Sequence, residues 1–235
     1  MAEPPGGRQR PYVLLSCGVS IDGYLDDATE KRLMLSNDAD FDRVDAVRAG
    51  CDAILVGART VRQDNPQLLV RSAERRDRRC ARGLRASPVK VTVTGSGDLD
   101  PRAQFFATGD VDKLVYCATS ALVAARERLD RVATVVDGGD PVDVHRVVTD
   151  LGARGVRRLM VEGGGTIHTQ FLVSGLADEL HLVIAPFFVG DSRAPRFVHD
   201  GGFPCGPDRP AVLAEVRRIG DVVLLRYGLS DRFEP

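Results

Sequence analysis

An α/β fold with a central, largely parallel sheet that finishes in antiparallel strands is predicted by three features of the chain. Short apolar runs, several of them ending in Gly or small polar residues, recur along most of the 235 residues. Stretches with apolar residues at helical spacing separate these runs, and that alternation generates parallel strands. From Glu179 onward the pattern changes: the runs Glu179 to Val189, Ala211 to Val216 and Val222 to Tyr227 have no helix between them, so they pair antiparallel.

Pro11 to Ser20 is nearly continuously apolar, the pattern of a strand covered on both faces. Asp22-Gly23 then turns the chain. An acid at the end of a buried strand either hydrogen-bonds a ligand or fixes its turn, and both roles fit Asp22. Ser36-Asn37-Asp38 is an N-cap cluster opening a helix with Phe41, Val44 and Val47 on its apolar side. Arg48, near the end of that helix, either complements the helix dipole or reaches a substrate phosphate.

Cys51 to Gly57 is the second strand, and a short helix opens at Gly57-Ala58-Arg59-Thr60 directly on its carboxyl end. Ligands of open α/β sheets gather at such corners. Asp64-Asn65-Pro66 ends that helix, and Asp64 is a candidate catalytic or ribose-binding carboxylate, or a loop acid. Between Arg71 and Arg85 seven arginines are interleaved with only Glu74 and Asp77, which reads as an exposed basic loop. Without aromatic residues for stacking it makes no case for nucleic acid. Arg71 stands apart, close enough to Asp64 and Leu68 to hold an anionic group at the mouth of a cleft. Pro88 to Thr94 is a third strand, ending in Gly95-Ser96-Gly97. Leu114 to Cys117, Val132 to Val136 and Leu159 to Val161 are further strands, separated by helices over Ser120 to Leu129 and Val142 to Leu151.

The stretch Val161-Glu162-Gly163-Gly164-Gly165-Thr166 joins the last of these strands to a helix carrying Ile167, Phe171 and Leu172. Exposed backbone N–H groups at a helix N-terminus attract a phosphate or pyrophosphate. The dinucleotide fingerprint is incomplete, since His168 stands where a third spaced glycine would be. Glu162 would repel a phosphate, so it faces another part of a ligand.

Hydrophobic residues at 43%, charged residues at 28% and a net charge of -1 point to a globular chain with neither a nucleic acid nor a membrane as partner. Residues 1–10 read as a flexible tail, and 11–235 as a single domain. The five scattered cysteines argue against a disulfide framework and for the cytoplasm. The four histidines have no metal-ligand spacing, so no metal is assigned.

Ser20-Ile21-Asp22-Gly23, the run from Asp52 to Val61, Asp64-Asn65-Pro66, Val161 to Gly165, and Gly175 to Leu180 with Ile184-Ala185-Pro186 together resemble the reductase domain of riboflavin biosynthesis. The resemblance implies a three-layer dihydrofolate-reductase-like fold, NADPH as cofactor, a homodimer, and reduction of a phosphoribosylamino-pyrimidine to its phosphoribitylamino form. It implies that Gly18, Gly57, Thr60, Asp64, Thr94, Gly95 and the turn Gly163, Gly164, Gly165, Thr166 and Ile167, running on to His168, lie along the cofactor. Arg48, Leu68, Arg71 and Glu162 are implied to face the substrate. Asp22, Asp64 and Glu162 are the acids near the reacting centre, and the residues do not select among them. Arg59 and the Arg75 to Arg85 stretch are candidate partners for a 2′-phosphate. The segment Arg32 to Leu35 is more apolar than in related reductases, which leaves a pterin, a dihydrofolate-like or a secondary-metabolite ring as an alternative substrate. A non-catalytic nucleotide-binding module is the alternative from another class.

Overall fold

The computed structural model describes residues 10–29 and 33–234. Residues 1–9, in the expected tail, and Arg32, in the expected substrate wall, lie outside them. Arg10 is anchored rather than loose: its guanidinium makes two 2.7 Å hydrogen bonds to the buried carboxylate of Asp178.

The elements in chain order are β1 (Tyr12–Val19), α1 (Asp38–Ala49), β2 (Ala53–Gly57), α2 (Ala58–Asp64), α3 (Ala73–Ala81), β3 (Val89–Thr94), α4 (Gln104–Ala107), β4 (Lys113–Cys117), α5 (Leu122–Leu129), β5 (Thr134–Asp137), α6 (Val144–Ala153), β6 (Arg158–Gly163), α7 (Gly165–Val173), β7 (Glu179–Ile184), β8 (Val212–Ile219) and β9 (Val222–Gly228). All nine strands form one sheet in the order β5-β4-β3-β2-β6-β1-β7-β9-β8. The pairings from β5 to β7 are parallel, and β9 runs antiparallel to both β7 and β8. The predicted sheet is therefore present, with β9 inserted between β7 and the outer strand β8.

Successive strand residues face opposite sides of the sheet, so each central strand feeds two cores. Val13, Leu15, Leu55 and Val161 pack against α6 and α7 on one face. Leu14, Ile54, Val56 and Met160 pack against α1, α2, α4 and α5 on the other. This is the expected three-layer arrangement. Burial of each Leu or Ile at zero exposure contributes about 1.5–3 kcal/mol before chain entropy is counted.

The expected basic loop is instead the helix α3. Ser72 caps it by accepting the Arg75 N–H at 3.3 Å, and Ala, Glu and Arg are good helix formers. Arg79, 4% exposed, replaces the missing apolar stripe: its guanidinium donates to the carbonyls of Arg85, Ala49 and Cys51 at 2.8–2.9 Å. Arginine density thus concealed a helix whose docking contact is itself an arginine.

Candidate active site

The parallel strands place the ends of β1, β2, β3 and β6 along one edge of the sheet. Chain connections leave β2 toward one face and β6 toward the other, so the switch in topology falls beside the carboxyl end of β6, where α/β sheets bind ligands. Gly18, Gly57, Thr94-Gly95 and Gly163 all lie on this edge. Two adjacent strand-to-helix corners meet there. Thr60, in the first turn of α2, has its Oγ1 3.5 Å from where a Cβ on Gly164 would sit.

The glycines of the β6–α7 corner serve different ends. Gly164 has φ +76, a conformation strained for any residue with a Cβ. At Gly165 a Cβ would collide with the Arg196 carbonyl oxygen. Gly57 lies against α7, where a Cβ would be 2.9 Å from Ile167 Cγ1. By contrast, a Cβ on Gly95 would meet nothing within 4 Å, so the end of β3 borders open space. Leu68, Ile167 and His168 turn their side chains into the protein, at 3%, 6% and 0% exposure, and offer a ligand only their backbone. Both ring nitrogens of His168 lack a hydrogen-bond partner, and burial pushes its pKa down to about 4.

Arg48 and Glu162 are bound to each other. Arg48 Nε donates to Glu162 Oε1 at 2.6 Å and Nη2 to Oε2 at 2.5 Å, while Nη1 reaches the Leu69 carbonyl oxygen at 3.4 Å. Burial of Arg48 disfavours its charge, but the Glu162 carboxylate outweighs this and raises its pKa. The end of β6, the end of α1 and the segment after α2 are thereby joined by one hydrogen-bonded chain. The exposed Arg71 follows on that segment, its guanidinium 5.8 Å from the centre of the Phe41 ring.

Asp22 is occupied within the protein. Its carboxylate accepts from Ser20 Oγ at 2.6 Å and from the backbone N–H groups of Val189 and Gly190 at 3.0 and 2.8 Å. The Ser20 hydroxyl and these backbone donors hold its pKa down at about 2, so it is an anion that ties the β1 turn to the chain after β7. Asp64 is the last residue of α2, followed by Asn65 in the left-handed region at φ +43. Of the proposed 2′-phosphate arginines, Arg75 is bound to Asp42 and Asp45, Arg79 to carbonyls and Arg85 to Asp110. Arg59 remains on the ligand edge, exposed in the first turn of α2 with Nε on Gln63 at 3.0 Å.

A hollow of about 430 Å³ lies at the opposite edge, where Ala86 and Ser87 precede β3 and Gly109 to Val111 precede β4. Its apolar walls and its position at the amino ends of the strands set it apart from the ligand edge. Among the described residues no group of three or more His, Cys, Asp or Glu side chains is placed to hold a metal, and no helix is long and apolar enough to cross a membrane.

Sequence reasoning gave no role to Asp45, Asp178 or Glu179, all at most 3% exposed. Asp178 binds Arg10, Ser230 and Arg232, joining both ends of the chain to β7. Glu179 accepts from Tyr12 Oη at 2.9 Å and is bonded to His181 Nε2 at 2.8 Å and to Arg226. Asp178 and Glu179 form ion pairs with Arg10, Arg158, Arg226 and Arg232 along β7 and its neighbours, while Asp45 pairs with Arg75 on α3. Their signal in the sequence is polar residues inside otherwise apolar strand and helix faces.

Residues 11–225 match the family described as the RibD C-terminal domain. A 2,5-diamino-6-ribosylamino-4(3H)-pyrimidinone 5′-phosphate reductase of Archaeoglobus fulgidus is 32% identical over 218 residues, covering 90% of this chain and 95% of that protein. The enzyme of the same name from Methanothermobacter thermautotrophicus is 33% identical over 223 residues, 93% of this chain and 98% of its own. In structure the chain is similar to a pyrimidine reductase-like protein of Corynebacterium diphtheriae, with a TM-score of 0.77, 23% identity, and coverage of 93% and 91%. It is also similar to the riboflavin biosynthesis reductase of Saccharomyces cerevisiae, with a TM-score of 0.69, 17% identity, and coverage of 97% and 93%. A sheet with this strand order, a glycine corner at its switch point and this span of similarity make the chain a member of the RibD C-terminal domain family of reductases.

Proposed function

We propose that this protein is an NADPH-dependent reductase that converts a phosphoribosylamino-pyrimidine of riboflavin biosynthesis to the phosphoribitylamino form. The observation that carries this reading is the hydrogen-bonded chain from the glycine corner through Glu162 and Arg48 to the segment bearing Arg71. It joins the cofactor side of the edge to the substrate side. The relatives named for the 2,5-diamino-4(3H)-pyrimidinone substrate favour that ring, with the corresponding uracil as second choice.

The residues present fit a dinucleotide. Gly164 and Thr166 reach the surface at the start of α7, Thr60 faces the same corner, and Gly95 leaves space at the end of β3. A bound reduced nicotinamide supplies hydride. The ring-opened ribosylamine is an imine at C1′; its reduction places hydride on that carbon and a proton on the attached nitrogen. Positioning is the main task for the protein, since fixed geometry supplies roughly 7–11 kcal/mol of a bimolecular barrier. Arg71 holds the substrate phosphate at a distance from C1′. The Glu162 carboxylate, fixed by Arg48, supplies the negative charge that stabilises a protonated imine. Arg59 takes the 2′-phosphate that distinguishes NADPH from NADH.

Assays with NADPH and the diaminopyrimidinone phosphate, the uracil phosphate and dihydrofolate test the reading. Turnover of a phosphoribosylamino-pyrimidine is the expected result, and turnover of dihydrofolate alone would overturn it. The same reading includes a homodimer in the cytoplasm. The outer strand β8 supports the dimer, with Val212, Leu213 and Val216 exposed by 52–61% on an unpaired sheet edge. Val216→Lys should then shift the mass measured by light scattering toward the monomer.

A further inference from the structure

Residues 65–72 link α2 to α3 without regular structure, and Asn65 and Leu68 adopt left-handed φ values of +43 and +49. The backbone groups of this strap are bonded mostly to side chains. Val70 N–H donates to Ser87 Oγ at 3.0 Å. The carbonyls of Val70 and Arg71 accept from Arg76 Nη1 at 3.1 and 2.5 Å. The N–H groups of Arg71 and Ser72 donate to the two carboxylate oxygens of Asp45 at 2.5 and 3.2 Å.

Asp45 has a side chain only 4% exposed and also accepts from Arg75 Nη1 at 2.9 Å. It belongs to a stripe on α1 with Phe41 one turn before it and Arg48 one turn after it. All three meet the strap: Phe41 lies beneath the Arg71 guanidinium, Asp45 holds the Arg71 N–H, and Arg48 reaches the Leu69 carbonyl. One face of α1 thus sets the place of Arg71 relative to Glu162. Arg75 is bound to Asp42 as well, at 2.6 and 2.8 Å, so it keeps a partner when Asp45 is changed.

We propose that Asp45 is a positioning residue for phosphate recognition, fixing the backbone beneath Arg71 so that its guanidinium is presented to the substrate phosphate. The proposal rests on the reading of Arg71 as the phosphate ligand. Asp45 touches neither substrate nor cofactor; it acts through Arg71. A displacement of about 1 Å in such a positioning group costs on the order of 10²-fold in rate or affinity.

The test uses the full chain with NADPH and two substrates, the ribosylamino-pyrimidine with and without its 5′-phosphate. Asp45→Ala should raise KM for the phosphorylated substrate about 10- to 100-fold. Its kcat, its KM for the unphosphorylated substrate and its NADPH affinity by fluorescence should each change less than about 3-fold. In an Arg71→Ala background, adding Asp45→Ala should change KM no further. Asp45→Asn keeps the side-chain shape and one acceptor oxygen, so it should be folded and intermediate in effect. An equal rise in KM for both substrates, an additive effect on top of Arg71→Ala, or an unchanged KM in both Asp45 variants would overturn the proposal. If Arg71→Ala lowers the preference for phosphate and the Asp45 variants do not, positioning by Asp45 alone is refuted. If Arg71→Ala leaves that preference intact, the phosphate reading falls and the proposal with it.

Discussion

Arg48 and Glu162 face each other through two parallel hydrogen bonds of 2.6 and 2.5 Å, joining the last turn of α1 to the end of β6. Read as separate residues, each is a candidate ligand of the substrate. As a pair they are first a structural clasp, and Glu162 is aimed because Arg48 holds it.

Breaking the clasp on one side leaves a charge without its partner. With side chains 16% and 13% exposed, the pair is only partly screened by solvent. Arg48→Met and Glu162→Gln should each cost about 2 kcal/mol in urea unfolding. The double variant should be less destabilised than the sum of the two. Strict additivity would show that the two side chains do not act together.

Asp22 accepts hydrogen bonds from Ser20, Val189 and Gly190 that favour its anion, and we predict that it is not the proton donor at neutral pH. Its folded pKa lies below the unfolded value. The anchoring is therefore complete above the ordinary carboxylate range and is lost as pH falls toward about 2. Asp22→Ala should speed amide exchange at Val189 and Gly190, while the pH profile of kcat between about pH 5 and 9 keeps its shape. A limb of that profile that disappears in the variant would make Asp22 a catalytic acid or base.

Gly165 and Gly95 should respond differently to an added methyl group. At Gly165 it meets the Arg196 carbonyl, and Gly165→Ala should lose about 1–3 kcal/mol of stability. At Gly95 it meets open space, so stability should stay within about 0.5 kcal/mol while NADPH binding weakens. Unchanged cofactor affinity in Gly95→Ala would remove that position from the cofactor site.

Arg79 donates to the carbonyls of Arg85, Ala49 and Cys51. Arg79→Met keeps the aliphatic stem and strands those oxygens, for a loss of about 3 kcal/mol in chemical denaturation. A loss under about 0.5 kcal/mol, as for an ordinary surface arginine, would refute the docking role of α3.

His168 links stability to pH. Burial lowers its folded pKa to about 4, so between there and the unfolded value near 6.5 the unfolded chain binds the extra proton. Stability should thus rise with pH across that window, by on the order of 3 kcal/mol in all. His168→Leu should flatten that part of the curve in urea titrations, and an unchanged slope would assign it to other groups.

The sequence alone determined the strands, most of the helices, the parallel-to-antiparallel change and the glycine corner, because each is written in local periodicity and turn chemistry. It also carried the family resemblance, which rests on short ordered motifs. It misread Arg71 to Arg85, because a count of charges does not reveal that the Arg79 stem and guanidinium can replace an apolar contact. Only the tertiary structure decided which polar groups meet. Arg48 is 114 residues from Glu162, Arg71 is 26 from Asp45, and Val189 is 167 from Asp22. Such pairs depend on where strands and helices settle in three dimensions, and burial then decides whether a charge is a ligand, a clasp or a support for its neighbour.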